Sequence, residues 1–190
     1  MLGGLALALL VLAPPGTPAP AIERLQARLE RAREQIEAAH GAIAATDIEV
    51  RLAATTSDFV AGSGRGRREA AAAVGGRLHL QPLAVLARLE DLDAVLRHEL
   101  SHLLVESRHR RCPRPTPRWL HEGLAGIVAM EDSSTALDSP APLYGPDLDT
   151  QQVDRWLARP PDEAALRLAH QAARRATERA GGVALLRRCP

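Results

Sequence analysis

Asp91-Leu92-Asp93-Ala94-Val95-Leu96-Arg97-His98-Glu99-Leu100-Ser101-His102-Leu103-Leu104-Val105 is the stretch on which the fold turns. Its apolar residues recur at helical spacing, and Asp91 or Asp93 can cap its start. Arg108, His109, Arg110 and Arg111 then suit the negative end of the helix dipole. Inside this helix lies a complete H-E-x-x-H. Histidines four residues apart share one helix face, so His98 and His102 can bind a single metal ion. Zinc accepts imidazole readily, and Glu99 beside the pair is placed to take a proton from water activated there.

A catalytic zinc needs a third protein ligand and an open position. Glu106 and His109 extend the same helix, but Glu106 lies eight residues beyond His98, about 12 Å along the axis at 1.5 Å per residue. The third ligand therefore comes from another segment. Prolines at 113, 115 and 117 forbid the helix to continue. Thr116 is expected to cap a new helix with Pro117 at its first position, running through Arg118-Trp119-Leu120-His121-Glu122-Gly123-Leu124-Ala125-Gly126-Ile127. Glu122 is the preferred ligand, with the neighbouring His121 as its rival. Gly123 and Gly126 are expected to let this helix approach the metal helix closely.

Upstream, Asp47–Leu52 alternates polar and apolar residues and reads as a strand. A short helix is expected from Thr56 or Ser57 to Gly62. Ala70–Val74 and Arg77–Leu80 form a hairpin about Gly75-Gly76. An exposed edge on Arg77–Leu80 would suit pairing with an extended peptide. Ala21–His40 reads as a helix with Ile22, Leu25, Leu29 and Ile36 near one face. Downstream, Glu131–Asp149 reads as a surface loop, and Asp147–Leu157 and Asp162–Ala180 as helices, the second closed by Gly181-Gly182. The expected class is α+β: a small sheet, then a two-helix metal site, then C-terminal helices.

The chain has 190 residues, 46% hydrophobic and 25% charged, enough for one ordinary globular core. Its net charge of +1 gives no footing for nucleic acid or an anionic membrane surface. Aromatics are only 2%, so aliphatic residues must fill the interior. Residues 1–21 carry an apolar run from Leu2 to Ala13, helix-breaking prolines and an Ala19-Pro20-Ala21 cleavage pattern. They read as an export signal, leaving 22–190 as a single domain. The expected location is secreted or periplasmic, in or beside the bacterial cell envelope. In an oxidising compartment Cys112 and Cys189 can form a disulfide.

H-E-L-S-H followed by W-L-H-E-G-L-A resembles the gluzincin zinc metallopeptidases, most closely the peptidase MA-like group with its H-E-x-x-H and W-L-x-E-G-x-A. The resemblance is tight over residues 91–130 and loose over 48–187. It implies zinc held by His98, His102 and Glu122, Glu99 as general base, and a peptide or protein substrate. The 19 residues from 103 to 121 between His102 and Glu122 are close to thermolysin-like spacing. Gly126 departs from the pattern, since thermolysin-like proteins have Asp there. A metzincin reading fails at Val105 and Arg108. For the oxyanion the candidates are His170, where related peptidases often carry Tyr or His, then Tyr144 and His79. The implied activity is peptide-bond hydrolysis. The alternatives are a zinc-stabilised binding module without catalysis and a zinc hydrolase acting on a non-peptide envelope bond.

Overall fold

The computed structural model describes residues 9–41, 48–129 and 149–187. It is α+β, with a four-stranded sheet and seven α-helices among the described residues. The chain divides into two compact units, Met1–Leu104 and Val105–Pro190.

The first unit opens with β1 (Leu9–Leu12), followed by α1 (Ala19–His40) and β2 (Ile48–Leu52). β1 and β2 pair in parallel, so α1 is the crossover of a β-α-β unit. α1 buries Leu25, Leu29, Ala32 and Ile36, a stripe at the helical period. Each of the larger side chains contributes about 1.5–3 kcal/mol on leaving water. Leu9–Leu12, expected to belong to a removable signal, is a strand of the sheet, and Leu9 is buried. Ala19, expected within a cleavage site, is the first residue of α1.

α2 (Thr56–Ser63) is capped by a reciprocal box. The Thr55 hydroxyl accepts from the Asp58 N–H at 3.1 Å, and the Thr55 N–H donates to the Asp58 carboxylate at 2.9 Å. β3 (Ala71–Val74) and β4 (Arg77–Leu80) form the expected hairpin, with Gly75 and Gly76 both at positive φ, which a two-residue turn of this kind requires. The sheet order is β1-β2-β4-β3. β4 therefore lies between β2 and β3 as an interior strand and β3 is an edge, so Arg77–Leu80 offers no free edge for a peptide to pair with.

The register sorts the two faces. Ile48, Val50 and Leu52 align with Leu78, Leu80, Ala71 and Ala73 on the buried face. Glu49, Arg51, Arg77 and His79 share the other, where Glu49 accepts from Arg51 and pairs with Arg77 at 3.2 Å. Buried Gln81 donates its amide to the Arg67 and Glu69 carbonyls at 3.2 and 3.0 Å, fixing the loop into β3. A short helix α3 (Leu83–Leu86) then leads to α4 (Leu92–His109). Asp91 caps α4, its carboxylate accepting from the Ala94 N–H at 2.8 Å.

The second unit holds the last turn of α4, then α5 (Arg118–Ala129), α6 (Thr150–Ala158), α7 (Glu163–Ala180) and a 3-10 turn over Gly182–Arg187. Pro117, expected as the first helical residue, is instead the N-cap of α5, its carbonyl accepting the first helical bond from the His121 N–H. The Thr116 hydroxyl instead bonds Nδ1 of buried His109, whose Nε2 bonds the Leu185 carbonyl at 3.0 Å. The α5 N-terminus is capped from a distance: Asp154 of α6 accepts the Trp119 N–H at 2.6 Å. Arg118 returns the favour at the α6 C-terminus, donating to the Leu157 carbonyl at 3.1 Å. Val153, Leu157, Ala169, Ala172 and Ala173 make the core, with Trp119 and Trp156 packed against it. Cys112 is disulfide-bonded. Cys189, Tyr144 and the surface loop expected at 131–148 lie outside the described residues.

Candidate metal centre

His98 and His102, the candidate metal ligands, sit on α4 where the sequence places them. Leu96, Leu100, Leu103 and Leu104 bury one side of the helix. Ser101, also buried, satisfies its hydroxyl by donating to the Arg97 carbonyl one turn back at 2.7 Å. His98 and His102 share a neighbouring face. Their Nε2 atoms are 3.2 Å apart, and the rings stand edge to face with centroids 4.7 Å apart. Two nitrogens bound to one tetrahedral zinc at about 2.0–2.1 Å each are separated by about 3.3 Å. The observed spacing fits that geometry, and it fits a hydrogen bond between neutral rings equally.

Glu99 belongs to the same group. Ligand atoms of His98, Glu99 and His102 all lie within 4.8 Å of one another. The Glu99 carboxylate is also tied to the sheet. Its Oε2 accepts the Ala73 N–H at 2.8 Å. That N–H is available for a topological reason. The Gln81 N–H bonds the Ala70 carbonyl, and pairing alternates along the hairpin, so Ala71 and Ala73 turn their backbone groups away from β4. The edge of the sheet thus holds the carboxylate that the sequence assigns as a base. No side-chain signal marks Ala73, because its contribution is a main-chain donor.

In the second unit, α5 carries His121 and Glu122, both half-buried. Glu122 faces α7, where Nδ1 of His170 lies 3.7 Å from its Oε2. The next residue, Gly123, lies hard against α7. A Cβ there would stand 2.0 Å from Thr177 Oγ1 and 2.5 Å from the Ala173 carbonyl oxygen. At Gly126, the other glycine expected to serve close approach, nothing among the described residues beyond the helix's own backbone and Gly126's two chain neighbours lies within 4 Å of such a Cβ.

His79 has a different setting from the one expected of an oxyanion donor. It is buried on the sheet face opposite Leu78 and Leu80, with Nδ1 3.4 Å from where a Cβ on Gly62 of α2 would stand. Burial there pushes its pKa below the usual imidazole value, and the Arg51 and Arg77 charges push the same way, against Glu49. Glu49 is held below the usual carboxylate range chiefly by its hydrogen bond from Arg51. No known protein family, curated protein or solved structure matches the chain.

Proposed function

We propose that the protein is a zinc-dependent peptidase of gluzincin type, with His98, His102 and Glu122 as metal ligands and Glu99 as general base. The observation that carries this reading is the α4 cluster: two imidazole nitrogens 3.2 Å apart, with a carboxylate anchored beside them by a backbone N–H. A histidine pair serving only structure needs no such neighbour. Glu122 is assigned from the W-L-H-E-G-L-A motif, and its charge completes a His₂Glu donor set.

Zinc in such a set supplies Lewis acidity to a peptide carbonyl and to water. The chain's own work falls to Glu99. It accepts a proton from the attacking water and delivers it to the leaving amine. The Ala73 N–H restrains the carboxylate, so that it meets the water in a defined orientation. The proposed substrate is a peptide or protein, as the family resemblance implies. The disulfide at Cys112 supports an exported protein working in an oxidising compartment.

The test is Glu99→Gln in parallel with His98→Ala. Glu99→Gln should retain about one zinc per chain and lose roughly 10²- to 10⁴-fold in peptide hydrolysis, the usual contribution of a general base. His98→Ala should lose the zinc. Full hydrolysis by Glu99→Gln, or undiminished zinc in His98→Ala, overturns the assignment. Zinc binding without hydrolysis of any member of a broad peptide library in the wild type would favour a zinc-stabilised binding module.

A further inference from the structure

We infer that His170 is a positioning residue for Glu122, holding the carboxylate by its Nδ1 side. The inference rests on the reading of Glu122 as a metal ligand. His170 Nδ1 lies 3.7 Å from Glu122 Oε2, beyond hydrogen-bond length but within reach of a small side-chain adjustment. What makes the pairing more than a surface accident is the backbone around it. Gly123 abuts the Ala173 carbonyl and Thr177 of α7, with no room for a Cβ between them. Glu122 is the residue before that contact. His170, Ala173 and Thr177 follow one another at spacings of three and four, so they share one face of α7. The facing of Glu122 and His170 is therefore set by a main-chain contact one residue from the first and one turn from the second.

A carboxylate that binds zinc through one oxygen leaves the other to be oriented by a donor, and such supporting groups typically govern metal affinity by 10- to 100-fold. The Nδ1–H of His170 supplies that donor. Without it Glu122 has more rotamers to give up when it binds. This role differs from the oxyanion contact that the family resemblance implies for His170. An oxyanion donor acts on the substrate and leaves metal affinity alone.

The experiment measures zinc dissociation constants at fixed pH by chelator competition, for the full chain and for His170→Ala, His170→Gln, Glu122→Ala and the Glu122→Ala/His170→Ala pair. Visible spectra of the cobalt-loaded forms are recorded alongside. His170→Ala should weaken zinc by roughly 10- to 100-fold and shift the cobalt bands. His170→Gln, which keeps a side-chain donor, should recover most of the affinity. In the Glu122→Ala background, removing His170 should cost nothing further. Unchanged affinity and spectrum in His170→Ala, with hydrolysis lowered, would overturn the positioning role in favour of the oxyanion contact. Equal losses in His170→Ala and His170→Gln that persist in the Glu122→Ala background would overturn it as a general effect on the fold. If Glu122→Ala itself binds zinc as tightly as the wild type, the ligand assignment fails, whatever His170 does.

Discussion

Gly123→Ala and Gly126→Ala make the same chemical change on the same helix and should move stability in opposite directions. In an unencumbered helix, alanine is favoured over glycine by about 1 kcal/mol. At Gly126 nothing among the described residues beyond the helix's own backbone and Gly126's two chain neighbours lies within 4 Å of the added methyl, so Gly126→Ala should gain close to that amount. At Gly123 the methyl would lie 2.0 Å from Thr177 Oγ1, 2.5 Å from the Ala173 oxygen and 2.9 Å from the Ala173 carbonyl carbon. The first clash involves a side chain, but Thr177 is fully buried and has little room to turn. The other two involve helix backbone, which yields only if α7 moves. Overpacking of this kind costs about 1–3 kcal/mol and occasionally more. Backbone clashes this short belong at the upper end, leaving a net loss of about 2 kcal/mol after the propensity gain. Thermal unfolding followed by far-UV circular dichroism should show Tm about 2–4 °C higher for Gly126→Ala and on the order of 5 °C lower for Gly123→Ala. Adding Thr177→Ala to Gly123→Ala should recover only part of the loss, since the Ala173 carbonyl stays in place. A stabilising Gly123→Ala, or full rescue by Thr177→Ala, would refute the claim that the helices touch main chain to main chain.

The lowered pKa of His79 sets a pH dependence. The unfolded chain binds a proton there near pH 6.5 while the folded chain resists it until lower pH, so stability should fall as pH drops below about 6.5, with a slope of at most about 1.4 kcal/mol per pH unit. Urea midpoints from pH 7.5 to 5 should show that decline in the wild type and a shallower one in His79→Phe; parallel curves would discount burial of His79 as the cause. Deleting residues 1–18 removes β1 and its pairing with β2, exposing the core that Leu9 covers. Burial of that leucine alone is worth about 1.5–3 kcal/mol. The truncated chain should therefore unfold at least several degrees earlier in a thermal scan, and an unchanged Tm would show that β1 contributes nothing to the unit.

Local rules made most elements legible. The hairpin was readable because a two-residue glycine turn has few alternatives, and α2 begins at Thr56, one of the two starts expected, behind a Thr55–Asp58 capping box that the sequence reading did not use. β1 was hidden by its neighbours. Leu9–Leu12 lies inside a longer apolar run that satisfies the pattern of an export signal as well as that of a buried strand. Its pairing with β2, distant in sequence across the whole of α1, is a long-range contact that no local pattern records. The α5 cap was hidden for a similar reason. Thr116 is a good local candidate, but His109 takes its hydroxyl and Asp154 reaches the helix from α6. Tertiary groups won both contests, and propensity does not record them.

The candidate site divides along the same line. His98, Glu99 and His102 are adjacent turns of one helix, so their spacing in sequence is their spacing in space. What completes each functional group comes from elsewhere and carries little sequence signature. Ala73 offers Glu99 a backbone N–H because the hairpin register leaves that donor turned outward. Shifting β3 by one residue against β4 would turn the donor inward and remove the restraint, with no change in any ligand. Gly123 acts in the same manner on the other unit. It contributes no functional group, yet the missing methyl lets α5 lie against Ala173 and brings Glu122 opposite His170. An alanine at 123 should therefore weaken zinc through Glu122 as well as destabilise the fold, whereas an alanine at 126 should leave zinc affinity where it is. That coupling joins helix packing to metal chemistry through a single carbon atom.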